Sequence, residues 1–152
     1  MKAVFLDTSA LVKLYVPEAG SSQLRSFLAD ADHVAIGMVA VPEFASAVLR
    51  RHREGLLDAP DTSLLLASFE SDRIRFSVGS LVDALALAAR DLLRKHVSIP
   101  LRTLDALQLA TALWFVRNRP MDWTLATSDR RMLAAAALES VHTYDPAAVA
   151  AP

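Results

Sequence analysis

The stretch Ala3-Val-Phe-Leu-Asp-Thr-Ser-Ala-Leu-Val-Lys-Leu-Tyr-Val-Pro17 decides the fold. Its apolar run Ala3–Leu6 stops at Asp7 and reads as a short buried strand. Thr8 or Ser9 then caps a helix carrying Leu11, Val12 and Leu14 as far as Val16, and Pro17 closes it. Working outward, Ser21 or Ser22 opens a second helix, and His33–Ile36 is a second strand. A helix runs from Val39 to Arg53, with Pro42 tolerated only in its first turn and Gly55 ending it. Asp61 starts a further helix through Phe69, and the alternation over Ile74–Val78 predicts a strand near an edge. Helices follow over Ser80–Lys95 and Thr103–Val116. Trp123–Thr127 is a strand, Arg130–Ala137 a short helix, Val141–Tyr144 a last strand and Ala147–Pro152 an Ala-rich tail. The alternation predicts an α/β sandwich, its sheet of four to five strands mostly parallel and flanked by helices. In such sheets the ligand site lies beyond the carboxyl ends of the strands. Asp7 follows the first strand there, and Asp129 follows the Trp123–Thr127 strand.

Composition narrows the chemistry. The 152 residues predict one domain spanning 1–152, with enough chain to bury a core. With no Cys, disulfide frameworks, Cys-ligated zinc and Cys nucleophiles are excluded. Four Gly leave nothing to build a phosphate-cradling loop, and no Gly-x-Gly-x-x-Gly or Walker A sequence occurs. The formal net charge of −1 excludes capture of nucleic acid by bulk positive charge. The apolar start is too short for a secretory core and Ala106–Val116 too short to span a bilayer, so the expectation is a cytoplasmic protein with no membrane partner.

Four carboxylates stand out. Asp105 is the only charged side chain between Thr103 and Val116, in a helix apolar nearly all round and therefore buried on most sides. Helix-dipole stabilisation of about 0.3–1 kcal/mol in a first turn is small beside the several kcal/mol of desolvation for a buried ion. Glu43 sits among Val39, Val41, Phe44 and Ala47 near the start of its helix, with Arg50 a candidate partner seven residues on. Asp7 and Asp129 each read equally as helix caps. Taken together, the four converge on one crevice if the first strand and Trp123–Thr127 are neighbours. Four carboxylates about 5 Å apart would repel by roughly 20 kcal/mol over six pairs at an effective dielectric near 20, more than the roughly 5–15 kcal/mol by which a domain is stable. A cation is the simplest remedy, and an all-oxygen donor set suits Mg²⁺ or Mn²⁺. Such a site suits phosphodiester hydrolysis, with Asp7 and Asp105 the strongest metal ligands. Either Glu43 or Asp129 orients the attacking water while the other acts as ligand.

These residues also carry a resemblance. Phe5-Leu-Asp-Thr-Ser-Ala-Leu-Val-Lys-Leu-Tyr15, Val41-Pro-Glu-Phe-Ala-Ser-Ala-Val48, Leu101-Arg-Thr-Leu-Asp-Ala-Leu-Gln-Leu-Ala-Thr-Ala112 and Leu125-Ala-Thr-Ser-Asp-Arg-Arg-Met-Leu133 resemble, in order and spacing, four blocks of PIN-domain endoribonucleases. The similarity is greatest to the VapC-like toxins of toxin–antitoxin pairs. The resemblance implies a PIN-like, Rossmann-like fold and Mg²⁺- or Mn²⁺-dependent cleavage of single-stranded RNA. It also implies a homodimer and a cognate antitoxin that blocks the site. Asp7, Glu43, Asp105 and Asp129 fall on the family's acids, with Asp7, Asp105 and Asp129 as metal ligands and Thr8 and Thr127 as supporting hydroxyls. Gln108 stands where a His is often found in the family; not being one of the acids, it is set aside. Glu139-Ser140 replaces a Gly that often precedes the last strand.

Other signals weigh less. The four His are scattered, with no two at ligand spacing. Ser9 lacks a Gly-x-Ser-x-Gly setting. A receiver-like phosphoacceptor would need paired acids after the first strand and a late Lys, whereas Asp7 stands alone and no Lys follows Lys95. Arg102 and Arg130 flank acids and are candidates for RNA phosphate; Arg53 and Arg119 read as solvated helix ends. Trp114 and Trp123 read as core. The rival to an enzyme is a non-catalytic module whose acids only cap helices and accept a basic partner segment.

Overall fold

The computed structural model describes residues 1–148, so residues 149–152 of the expected Ala-rich tail lie outside the described residues. The elements run β1 (Lys2–Leu6), α1 (Thr8–Tyr15), α2 (Ser21–Ala29), β2 (His33–Gly37), α3 (Ala40–Arg53), α4 (Ala59–Asp72), β3 (Ser77–Gly79), α5 (Asp83–Lys95), α6 (Thr103–Asn118), β4 (Asp122–Ala126), α7 (Arg130–Leu138) and β5 (His142–Tyr144). The five strands form one sheet in the order β3-β2-β1-β4-β5, and every pairing is parallel. The expected mostly parallel sheet is thus wholly parallel among the described residues. From the central β1 the chain first builds outward to β2 and β3, then crosses to the other side for β4 and β5. The point where the direction of winding reverses therefore lies between β1 and β4.

Alternation along β1 explains why so short a run suffices. Ala3 and Phe5 face a layer containing α5, α6 and α7, where they meet Leu109, Leu113, Trp123 and Leu125. Val4 and Leu6 face the opposite layer, with Leu11, Leu24, Phe44, Val48 and Phe69. A strand covered on both faces has no polar side, hence the unbroken apolar run. The helix most apolar in sequence, α6, packs against both β2 and β4 as well as α5 and α7. Glycines let it approach closely. A Cβ on Gly79 would collide with Thr111 Cγ2 and lie 3.1 Å from Phe115 Cε2, and one on Gly37 would sit 2.9 Å from Gln108 Oε1.

Some local expectations are corrected. The Ile74–Val78 strand is shorter and later: α4 tightens into a 3-10 turn at Arg73–Arg75, Ile74 is exposed, and only Ser77–Gly79 pairs with β2. Five alternating residues cannot distinguish a strand from such a turn. The α4 helix begins before Asp61, because Asp58 caps it through a 2.7 Å bond from Asp61 N, and Pro60 occupies the first turn, where its missing N–H costs nothing. Trp114 is not core; it lies exposed on the outer side of α6, edge-on to Phe115, whereas Trp123 is buried. No helix among the described residues is long and apolar enough to cross a membrane.

Candidate active site

Asp7 is where β1 becomes α1. Its N–H bonds Ala126 O at 3.1 Å, extending the β1–β4 ladder, while its own C=O accepts from Ala10 N and Leu11 N. The cap of α1 is therefore Asp7 itself, not Thr8 or Ser9. The carboxylate is 7% exposed, and Oδ2 accepts from Ser9 Oγ at 2.7 Å and Thr127 Oγ1 at 2.8 Å, with a longer 3.4 Å contact from Ser9 N. Oδ1 takes none of these bonds. Burial pushes this carboxyl above the ordinary aspartate range; the bonds from Ser9 and Thr127 pull the other way, and nearby Glu43 adds to the rise. The fully buried Thr127 also accepts from Asp129 N at 3.1 Å, and Ser9 Oγ accepts from Ser128 N at 3.0 Å. Ser9 in the first turn of α1 and Thr127 just after β4 thus lock the two acid-bearing segments to each other.

Glu43 arrives in the first turn of α3. Its Oε2 accepts from Thr8 Oγ1 at 2.7 Å and from Gln108 Nε2 at 2.8 Å, and the same Nε2 lies 2.8 Å from Thr8 Oγ1. This triangle ties α1, α3 and α6 together at the floor of the cleft. Gln108 is 1% exposed, and its Oε1 is a buried acceptor without a partner. Gln108, though not an acid, therefore belongs to the network that fixes Glu43. The signal was present: an amide three residues after Asp105 in an otherwise apolar helix lies near that acid's face.

Asp105, in the first turn of α6, accepts from Arg102 N at 2.9 Å and satisfies one helix-end N–H. Asp129 caps α7, its Oδ1 accepting from Arg131 N at 2.8 Å and Met132 N at 3.2 Å. The Arg131 side chain reaches back, Nη2 to Asp129 Oδ2 at 2.8 Å and Nε to Oδ1 at 3.3 Å. Those bonds hold the Asp129 carboxyl below the ordinary range despite partial burial. The same Nη2 lies 3.6 Å from Asp105 Oδ2.

All four acids line one open cleft of about 610 Å³ at the carboxyl ends of β1 and β4. Arg102 also lines it. Arg130 does not: as the first residue of α7 it is exposed outside the cleft, and its neighbour Arg131 takes the inward place. Arg50 reaches the cleft wall but makes no ion pair with Glu43. An unforeseen chain of charges forms the far wall, where Glu18 bridges buried Lys13 at 2.8 Å and Arg51 at 2.7 Å. As the side chains stand, no three His, Cys, Asp or Glu residues among the described residues are gathered closely enough to hold a metal ion. The donor chemistry nevertheless fits a hard divalent cation, being carboxylate oxygen throughout, with the buried Asp7 lacking any cation of its own.

A parallel sheet with a carboxylate-lined cleft at its switch point defines a Rossmann-like α/β protein with an acidic site. The chain belongs to the PIN domain family, whose model matches residues 4–138. Solved structures share the fold. VapC20 of Mycobacterium tuberculosis, described as a sarcin-ricin loop cleaving toxin, is 19% identical with a TM-score of 0.66 over 87% of this chain and 94% of that one. VapBC2 of Rickettsia felis, bound to a DNA fragment from its promoter, is 15% identical with a TM-score of 0.63 over 94% and 99%. A toxin–antitoxin complex from Klebsiella pneumoniae is 16% identical with a TM-score of 0.63 over 94% and 97%. Comparison with curated proteins gave no match.

Proposed function

We propose that the chain is a divalent-metal-dependent endoribonuclease that hydrolyses RNA phosphodiester bonds through a metal-activated water, acting as the toxin of a toxin–antitoxin pair. The observation that carries this reading is the convergence of Asp7, Glu43, Asp105 and Asp129 on one cleft at the β1/β4 switch point of a PIN domain. The substrate class and the antitoxin partner are suggested by the similar structures, one described as a sarcin-ricin loop cleaving toxin and another as a toxin–antitoxin complex. A homodimer in the cytoplasm completes the assignment.

Asp7, Asp105 and Asp129 would hold Mg²⁺ or Mn²⁺. When bound, such an ion supplies polarisation of the phosphoryl oxygen and a water of lowered pKa. The chain's own groups do the rest. Glu43, fixed by Thr8 and Gln108 on Oε2, keeps Oε1 to orient a water and accept its proton. Thr127 and Ser9 fix the Asp7 rotamer, so one carboxylate oxygen remains turned from the hydrogen-bond network. Arg102 at the rim offers a bidentate donor to an RNA phosphate.

A second reading has its own support: Asp7 and Asp129 cap helices and Asp105 accepts a helix-end N–H, so three acids have structural work without any ion. A non-catalytic module accepting a basic partner segment would look the same. Cleavage of total RNA by purified protein separates the two. The nuclease cuts with Mn²⁺, stops with chelator, and loses more than about 100-fold in rate as Asp7→Asn, beyond the usual cost of losing an outer partner of a metal ligand. Cleavage that persists at full rate in Asp7→Asn, or in chelator, overturns the assignment. Induced expression should arrest growth, and Asp7→Asn should relieve the arrest.

A further inference from the structure

One cation in the cleft does something the proposed reaction does not require. Among the described residues, Arg131 is the only side chain ion-paired with any of the three acids assigned to the metal. Lys13 and Arg51 are committed to Glu18, and Arg102 meets Asp105 through its backbone N–H. The Arg131 guanidinium holds Asp129 through two bonds and lies 3.6 Å from Asp105. It therefore contacts both carboxylates at once, one by hydrogen bonds and the other at ion-pair distance.

We propose that Arg131 is an internal counter-ion that keeps the Asp105–Asp129 half of the site in a metal-free arrangement and competes with the divalent ion for it. This rests on the metal-dependent reading above. A guanidinium and a divalent cation cannot both occupy the same carboxylate oxygens without strong mutual repulsion. The exchange is feasible because Asp129 is held twice. When the side chain of Arg131 leaves, Arg131 N and Met132 N still hold Oδ1, so the carboxylate keeps its position at the α7 cap. The side chain is 27% exposed and borders the open cleft, so it has room to swing out. The arrangement gives the protein a device for staying empty at low metal concentration, since a positive charge already fills the place of the ion. Its sign is opposite to that of an ordinary supporting residue, whose loss weakens metal binding.

The test is calorimetric titration of Mn²⁺ into metal-stripped full-length protein, with thermal melts in parallel. Arg131→Gln is expected to bind Mn²⁺ about tenfold more tightly than wild type, equivalent to roughly 1.4 kcal/mol. Arg131→Lys, which reaches fewer carboxylate oxygens at once, is expected to bind about threefold more tightly. Metal-free Arg131→Gln should melt below wild type and recover more on adding Mn²⁺. If that variant does not fold without metal, Arg131→Lys decides the matter. Binding by wild type that neither variant tightens overturns this inference alone, leaving Arg131 as a residue that merely positions Asp129. If Mn²⁺ binds neither wild type nor variants, the metal-dependent reading falls and this inference falls with it.

Discussion

Asp7 does two jobs that conflict over its charge. As the cap of α1 at the end of a buried strand it is almost wholly out of water, and burial raises its pKa above the aspartate value of 3.8. As a metal ligand it must be ionised. For a group whose folded pKa is raised, the native state binds the proton more tightly than the unfolded chain does, so ionisation reduces stability as pH rises through that window. The metal-free protein bears that cost once the pH is above this window. Asp7→Asn removes the buried charge but keeps an oxygen that can accept from Thr127, so the variant should melt no lower than metal-free wild type at pH 7, even as cleavage is lost. A melting temperature several degrees lower would show that Asp7 is held for the fold rather than for an ion. Asp7 was legible in the sequence because a carboxylate directly after a buried strand is conspicuous. Gln108 and Arg131 were not: an uncharged amide and the second of two adjacent arginines look unremarkable until α6 and α7 are set beside α1 and α3.

At the scale of elements, α6 is the support on which the cleft rests. It carries Asp105 and Gln108 at its start and lies over the sheet where Gly37 and Gly79 leave no side chain in the way. Those glycines explain how an apolar helix with one acid in its first turn can bring that acid to the strand ends. Gly79→Ala should therefore destabilise the protein by about 1–3 kcal/mol, the usual cost of overpacking. Thr111→Ser removes the Cγ2 that the new methyl would strike, so the double variant should recover part of that loss. The coupling in denaturant melts is expected to be about 0.5–3 kcal/mol; strictly additive effects would mean that α6 shifts freely on the sheet. The sequence located α6 and β1 well because each carries a largely apolar run that is buried through its middle. It failed at Ile74–Val78, where the chain passes from helix through a 3-10 turn to an edge strand in a few residues, too briefly for any period to declare itself.

At the scale of the whole molecule, the site exists because the sheet winds in two directions from β1, and the far end of that winding has to be fixed too. Glu139 does this. Its side chain is 4% exposed and accepts from Lys95 Nζ and His96 Nε2 at 2.7 Å each, with Arg117 Nη2 at 3.4 Å. One carboxylate thus joins the ends of α5, α6 and α7 just before β5. The sequence marked Glu139-Ser140 only as a departure from a Gly; Ser140 does adopt a left-handed backbone there, at φ 57°, but nothing local foretold that Glu139 would be buried among cations from two other helices. Burial alone would raise the Glu139 pKa, yet the bonds from Lys95 and His96 outweigh it and the net shift is below the glutamate value of 4.5. A lowered folded pKa means that the stabilisation is complete above the unfolded value and disappears as pH falls through the folded one. Glu139→Gln keeps the shape but not the charge, so at pH 7 it should cost about 1.5–3 kcal/mol, the range for hydrogen bonds to charged groups. The difference between wild type and variant should shrink steadily as pH drops from about 5 toward 3. Chemical denaturation at pH 7, 5, 4 and 3 reads this directly. A difference that stays constant over that range would mean that Glu139 holds the ends of α5, α6 and α7 through packing and hydrogen bonding rather than through its charge.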